Sequence, residues 1–189
     1  MYLYEKAIIE DINNLFKNGK VKAVIADSLD EALRRTAAEN QDKITLPFIV
    51  LSGGDWTLND TAFYNIMHGA EIYRKDNTSK NTSVISFTPQ YNMYIAATSS
   101  RECDMLTREI IFHYYQYPTL TIDVPYGLDI NHTFNLTFNR NVRKSTNRSG
   151  LVCRTLELTL DGAYLWHNNT INIVEKVNVN IEEKMELEV

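Results

Sequence analysis

The stretch from Tyr91 to Leu165 constrains the fold of this chain more than any other. Tyr91 to Ala97 is an apolar segment of strand length, and Ser99 followed by Glu102 has the spacing of a capping box at the start of a helix. Behind this box, apolar residues recur at helical spacing up to Pro118, where a helix is expected to end. The order of strand, capped helix and further strands predicts an α+β fold.

Two long alternating segments follow this helix. Leu128 to Phe138 and Val152 to Leu160 place apolar residues at every second position, which is the period of a half-buried strand. Thr119 to Val124, before a Pro-Tyr-Gly turn, is also rich in strand-forming residues. We expect the two long strands to form an antiparallel pair.

The N-terminal half alternates helices with short apolar strands. Tyr2 to Lys17 has helical spacing, Val21 to Ala26 has the composition of a strand, and a second capping box opens a helix over Ser28 to Glu39. Leu46 to Leu51 is an apolar run typical of a buried strand. We expect the glycine pair in Ser52-Gly53-Gly54 to end that strand in a tight turn.

A chain of 189 residues can bury one sizeable core. We therefore expect a single α+β domain over residues 1–166. Its architecture is a mixed, mainly antiparallel sheet with two or three helices packed on one face and an extended hairpin or arm. Residues 56–83, where apolar residues are interspersed with a polar run, are expected to form an excursion with a mobile polar tip.

Residues 167–189 are expected to be a C-terminal extension that contains an edge strand and an acidic tail. Apolar residues again recur with a period of two, and Asn and Lys occupy the alternate positions. A strand this polar on one face lies at a sheet edge or pairs with another subunit. The positions that we hypothesise to form an inter-subunit edge strand are Ile171, Ile173, Val177, Val179 and Ile181.

Composition excludes several classes of protein. The formal net charge of -5 argues against a generic nucleic-acid coating protein, which needs a strongly basic surface. No run of eighteen apolar residues is present, and the N-terminus lacks the order of a signal peptide, so we expect a protein made and kept in a cytosol, without a membrane partner. Cys103 and Cys153 are expected to be buried free thiols.

No catalytic or cofactor template fits the sequence. The Ser52-Gly53-Gly54 turn lacks the Gly-Lys-Ser/Thr of a phosphate-binding loop. The four histidines, His68, His113, His132 and His167, lie in separate segments without metal-ligand spacing. We therefore expect no enzyme activity, no cofactor and no metal. A composite site around His113 or His132 is the enzymatic alternative, although both positions fit partly buried members of apolar faces better.

A basic segment joins the two long strands. Arg140, Arg143, Lys144 and Arg148 fall within nine residues, without an acidic residue among them, in a connection too long for a tight hairpin. A solvated loop is one interpretation. The other is an arm that contacts an acidic neighbouring subunit or the phosphate backbone of DNA, since guanidinium groups pair well with anionic oxygens.

Five short hydrophobic phrases follow one another along the chain: Leu46–Ser52, Tyr91–Thr98, Tyr117–Ile122, Pro125–Ile130 and Asp161–Leu165. In this order they resemble a family of small bacteriophage tail proteins. The resemblance covers about residues 1–54 and 84–166 and consists of element order and hydrophobic phrases rather than a catalytic signature. The chain differs from the smaller members of the family in the 56–83 excursion and in the segment after His167.

This resemblance implies a tail terminator or a closely related neck protein. Such a protein forms a ring, typically a hexamer, that caps the tail tube and joins the tail to the head. The implied partners are further copies of the chain and the tail tube protein, with sheath and neck or connector proteins and transient contact with DNA in the lumen as further candidates. The implied location is the virion, after synthesis in the bacterial cytoplasm. Another tail completion, connector or baseplate protein, or a DNA-binding adaptor that uses the basic segment, are the alternatives.

Overall fold

A computed structural model describes residues 2–17, 21–39, 46–58, 70–73, 79–82, 84–124, 130–146 and 151–166. These residues form three helices and nine strands. The helices are α1 (Tyr2–Leu15), α2 (Leu29–Glu39) and α3 (Ser100–Gln116). The strands are β1 (Lys22–Ile25), β2 (Phe48–Leu58), β3 (Ala70–Tyr73), β4 (Ser79–Thr82), β5 (Val84–Ala97), β6 (Thr119–Val124), β7 (Ile130–Thr146), β8 (Val152–Asp161) and β9 (Ala163–Trp166).

Seven of the strands form one mixed sheet, in the order β1-β2-β5-β8-β7-β6, with β9 pairing to the first part of β5. Only the β1–β2 pairing is parallel, and every other pairing in this sheet is antiparallel. β3 and β4 form a separate two-stranded hairpin. The predicted α+β class, with a mixed and mainly antiparallel sheet, is therefore confirmed.

The sheet curls around α1. This helix contacts both β1 and β6, which are the first and the last strands of the sheet, so the sheet bends around the helix. α3 packs beside it on β5, β8 and β7. The apolar side chains between these two helices and the sheet form the main core, which includes Tyr4, Ile8, Ile12, Met93, Ile95, Ile110, Phe134, Leu156 and Leu158.

α2 covers the opposite face of the sheet. Neighbouring side chains of a strand point to opposite faces, and in β2 the side chains of Ile49 and Leu51 join the main core whereas those of Phe48 and Val50 pack under α2. Two helices therefore share one face, as predicted, and the third lies on the other. This second cluster of buried residues is small and also contains Ala26, Ala32 and Leu33.

Both serines of the predicted capping boxes cap their helices. The Ser28 hydroxyl accepts a hydrogen bond from the backbone N–H of Glu31 at 3.2 Å, and the Glu31 carboxylate accepts one from the N–H of Asp27. At α3, the Ser99 hydroxyl accepts from the N–H of Glu102, also at 3.2 Å. These side chains satisfy backbone donors that have no partner within the first turn of a helix.

The prediction of a tight turn at Gly53-Gly54 is wrong, because β2 continues through both glycines to Leu58. The register between β2 and β5 shifts between Gly53 and Trp56, which marks a bulge. A Cβ atom at Gly54 would lie 2.8 Å from the carbonyl oxygen of Gln90, so the glycine permits a close approach of the two backbones. Pro89, opposite Trp56, lies beside the same bulge and does not interrupt β5.

The predicted antiparallel pairing of the two long strands is confirmed, but the described part of the basic segment belongs to β7 rather than to a linker. β7 runs to Thr146 and pairs with β8 up to Val152, with a register shift between Phe138 and Val142. Arg140, Arg143 and Lys144 therefore lie within β7. The strand continues through this polar segment because its pairing to β8 is made by backbone hydrogen bonds. The apolar period of a sequence does not report such bonds.

Some sequence predictions fall on residues that the structure does not describe. These are the Pro-Tyr-Gly turn after Val124, most of the 56–83 excursion and the whole extension after Trp166. Within the excursion, the described part shows that Trp56 to Leu58 still belong to β2 and that residues 70–73 and 79–82 form the β3–β4 hairpin.

Candidate interaction surfaces

α3 exposes large apolar side chains on the side that faces away from the sheet. Met105 is 54% exposed, Phe112 56% and Tyr115 84%. Met105 and Phe112 are seven residues apart, close to two turns, so they project in nearly the same direction. Tyr115 extends the same side, and we call these three residues the outer face of α3. Met and aromatic residues are enriched in the cores of protein interfaces.

A cleft lies beside this outer face, where α3 approaches the end of α1. Its volume is about 490 Å³. Phe112 and Leu15 supply apolar lining, and Arg108 and His113 supply polar lining together with Glu109 and Gln116. The cleft therefore offers an apolar surface with polar groups around it, which suits the side chain of a docked protein.

An Asp–His pair joins the two helices at the wall of this cleft. The Nε2 atom of His113 on α3 lies 2.8 Å from the Oδ2 atom of Asp11 on α1, and both side chains are mostly buried. The His113 ring also contacts the rings of Tyr114 and Tyr117, with centroids 4.9 and 5.8 Å away. The pair fixes the position of α1 against α3, so the cleft has a rigid wall.

The buried face of α3 carries groups that stay protonated. Burial raises the pKa of the Cys103 thiol to about 11, and the thiol donates to the carbonyl oxygen of Ile95 at 3.1 Å. Burial, followed by the nearby Asp11 carboxylate, raises the pKa of Tyr114. Cys103 and Cys153 are both buried and free, as the sequence predicted. A protonated, buried thiol is a weak nucleophile.

The β7–β8 hairpin is joined to α3 by a buried arginine. Arg154 of β8 is 8% exposed, and its Nε and Nη2 atoms lie 2.8 and 2.7 Å from the Oδ1 atom of Asp104. Asp104 is on the first turns of α3 and is more than half exposed. The guanidinium also donates to the carbonyl oxygen of Cys153. This contact joins the loop end of the hairpin to the start of α3.

Arg143 and Lys144, two of the four basic residues predicted to contact a subunit or DNA, lie on opposite faces of β7. Arg143 and Lys144 are both exposed, but neighbours in a strand point to opposite faces. Arg143 lies 2.7 Å from the Glu157 carboxylate of the adjacent strand, whereas Lys144 is opposite Arg154. Arg140 is in β7, its side chain being outside the described residues, and Arg148 lies outside them entirely. The structure thus separates the two cations whose side chains it describes.

β6 forms one edge of the sheet. The carbonyl oxygen of Pro118 accepts a hydrogen bond from the N–H of Leu136. Counted from this bond, every second residue of β6 directs its backbone N–H and C=O groups to β7. In this pattern the N–H groups of Leu120 and Ile122 point to β7, and those of Thr119 and Thr121 point to the open edge. A groove of about 340 Å³ separates this edge from α1 and is lined by Leu3, Lys6, Ala7, Glu10, Thr121, Ile122 and Asp123.

His132 is part of the core rather than of an open site. Its Nε2 atom lies 2.8 Å from the carbonyl oxygen of Gly162, and its ring contacts those of Tyr4 and Tyr164. Burial lowers its pKa. The Tyr4 hydroxyl accepts from the N–H of Tyr164 and donates to its carbonyl oxygen, so it occupies the place of a strand partner beside β9. Both His113 and His132 are partly buried, as the sequence predicted.

Sequence reasoning did not find the outer face of α3, the Asp11–His113 pair or the Arg154–Asp104 pair. The two pairs join residues 102 and 50 positions apart, which no local pattern reveals. The sequence does contain a signal for the outer face. When the buried side of the helix is assigned from its spacing, Met105, Phe112 and Tyr115 are apolar residues that lie outside that side.

Two searches of the described residues were negative. No group of three or more His, Cys, Asp or Glu side chains is placed to hold a metal ion in that part of the chain. None of the helices described above combines the length and apolar character that crossing a membrane requires.

Comparison with known proteins gives no assignment. No protein-family model and no curated protein matches the chain.

Proposed function

We propose that this chain is a structural protein of a bacteriophage virion, a tail terminator whose ring caps the tail tube and connects the tail to the neck. The proposal combines the sequence resemblance with the surfaces described above. The observation that carries it is the outer face of α3, where Met105, Phe112 and Tyr115 leave apolar surface in water. Met and aromatic side chains exposed along one side of a helix are typical of a surface that binds another protein.

The second copy of the same chain is the partner that this proposal favours for the outer face. A ring needs a heterologous contact, in which one surface of a subunit meets a different surface of the next. The outer face of α3 and the adjacent cleft supply one such surface, and the extended β7–β8 hairpin supplies a second. The buried Arg154–Asp104 pair holds the two in a fixed relative orientation, which a closed ring requires.

The DNA-binding alternative has less support. Of the four cations predicted to contact DNA, Arg143 lies against Glu157 and Lys144 points to the other face of β7. A phosphate backbone would have to compete with the Glu157 carboxylate for Arg143. A role in assembly through complementary protein surfaces does not require these cations to lie on one face.

Electron microscopy tests the proposal in two steps. Purified protein should form rings with six-fold symmetry, and gold-labelled antibody against the chain should mark the junction of head and tail in virions. Label at the far end of the tail would instead identify a baseplate protein. Virions without label, from cells that produce the chain, would contradict a structural role.

A further inference from the structure

The open edge at β6 and the groove beside it form a docking site for an extended strand. β6 alternates between exposed threonines and core-facing Leu120 and Ile122. Its edge directs the backbone groups of Thr119 and Thr121 outward, and the groove next to it has Leu3 and Ala7 on its α1 side. A strand added here gains backbone hydrogen bonds from β6 and places alternate side chains in the groove.

We propose that residues 171–181 of the same chain occupy this site as an additional antiparallel strand. This inference does not rest on the proposed function. The sequence left two partners open for the C-terminal extension, its own sheet or another subunit, and the register of the sheet favours its own β6.

The register brings the end of β9 to the correct end of the sheet. Asp161 of β8 is opposite Asn135, and Ile130, five residues before Asn135 in β7, is opposite Val124 of β6. Trp166 lies five residues beyond Asp161, so it leaves the sheet at the level where β6 ends. A strand that returns from this end runs antiparallel to β6.

The connecting segment is long enough. Passing from the position of β9 across β7 and β6 to a new edge takes three strand spacings, about 14 Å. The five-residue step from Trp166 to Ile171 spans up to about 17 Å when extended. A partner on the same chain also has a high effective concentration at the site, which favours it over a segment from another molecule.

The side chains of the segment match the groove. Residues 171–181 place Ile or Val at five of the six odd positions. β6 has six residues, so a strand that enters at Ile171 pairs with it through residue 176 and places Ile171 and Ile173 beside the core-facing Val124 and Ile122. Glu175 would lie on the α1 side, where Lys6, paired with Glu10 at 3.6 Å, lines the groove. The even positions carry Asn172, Lys176, Asn178 and Asn180, which suit the solvent side, and Val174.

Amide hydrogen exchange measured by NMR on the full chain tests this inference. Thr119 and Thr121 should be protected although their N–H groups point away from β7. Replacing inward positions, with Ile171→Asn, Ile173→Asn and Val177→Asn, should accelerate exchange at these two amides by at least about tenfold. Leu120 and Ile122, whose N–H groups bond to β7, should stay protected and report that the fold is intact.

A matched control changes the outward positions. Asn172→Thr with Lys176→Thr should leave the protection of Thr119 and Thr121 unchanged. If the triple variant loses protection at Leu120 and Ile122 as well, the single change Ile173→Asn replaces it. Rapid exchange at Thr119 and Thr121 in the unmodified chain, or protection that survives the inward variants, would overturn the proposal.

A mixing experiment separates the chain's own segment from that of another copy. Isotope-labelled triple variant is mixed with unlabelled, unmodified protein, and exchange is followed at the labelled Thr119 and Thr121. An intrachain strand predicts no restoration of protection at any ratio. Restoration would show that the segment crosses between copies, which contradicts the proposal while leaving assembly into rings in place.

Discussion

α3 carries large apolar side chains on two faces, and only one face is buried. Its inner face, with Cys103, Leu106 and Ile110, contacts the sheet and is nearly excluded from water. On its outer face Met105 and Phe112 are more than half exposed and lie among charged residues such as Arg108. The inner face of α3 therefore stabilises the fold, whereas the outer face is accessible to a partner.

The largest expected effect comes from truncating the inner face. Ile110→Ala removes a fully buried side chain and leaves a cavity in the main core, which costs about 2–5 kcal/mol in the free energy of unfolding. Urea denaturation followed by circular dichroism measures it. A cost below about 1 kcal/mol would mean that the two faces of α3 do not differ as described.

The next effect concerns the buried arginine beneath the start of α3. Asp104→Asn removes the negative charge beside Arg154 and leaves the guanidinium buried without a charged partner. Hydrogen bonds to charged groups contribute about 1.5–3 kcal/mol, and the exposure of Asp104 favours the lower limit, about 1.5 kcal/mol. The matched control is Glu109→Gln, whose partner Arg108 is exposed, and no measurable loss is expected there. Equal losses for the two variants would contradict a special role of Arg154.

A smaller effect is expected at the N-cap of the helix. Ser99→Ala removes the side-chain acceptor for the N–H of Glu102 and should cost about 1 kcal/mol in unfolding free energy. Ser99→Asp supplies another acceptor and should retain most of the stability, as thermal unfolding can establish. If Ser99→Asp is as unstable as Ser99→Ala, the loss does not arise from the cap.

The smallest effect on folding is expected at the outer face. Phe112→Ser changes a side chain that is 56% exposed and should alter the unfolding free energy of the isolated subunit by no more than about 0.5 kcal/mol. Denaturation at high dilution, where subunits are separated, measures this value. A loss comparable to that of Ile110→Ala would mean that Phe112 belongs to the core.

The sequence predicted these elements well wherever a local signal was strong. The capping boxes at Ser28 and Ser99 start the helices as expected, and the alternation in β7 and β8 indicated their antiparallel pairing. These features depend on neighbours a few residues apart, so a single sequence contains them.

Other features depended on contacts that a local pattern does not contain. Gly53-Gly54 was expected to form a turn, but the pair lies in a bulge where Gly54 comes close to Gln90 of another strand. The basic segment was expected to be a linker, but its backbone pairs with β8 regardless of its polar side chains. The Asp11–His113 pair exists because the curl of the sheet brings α1 to α3, and sequence spacing cannot report that curl.

Native mass spectrometry tests the central claim, that the outer face of α3 joins copies of this chain. The unmodified protein at micromolar concentration should appear as one closed oligomer, expected to contain six copies. The double variant Phe112→Ser, Tyr115→Ser should appear as a folded monomer, whereas Tyr2→Ser, which changes an exposed tyrosine on α1, should assemble normally. An unmodified protein that stays monomeric, or a double variant that assembles as well as the unmodified protein, would contradict the claim.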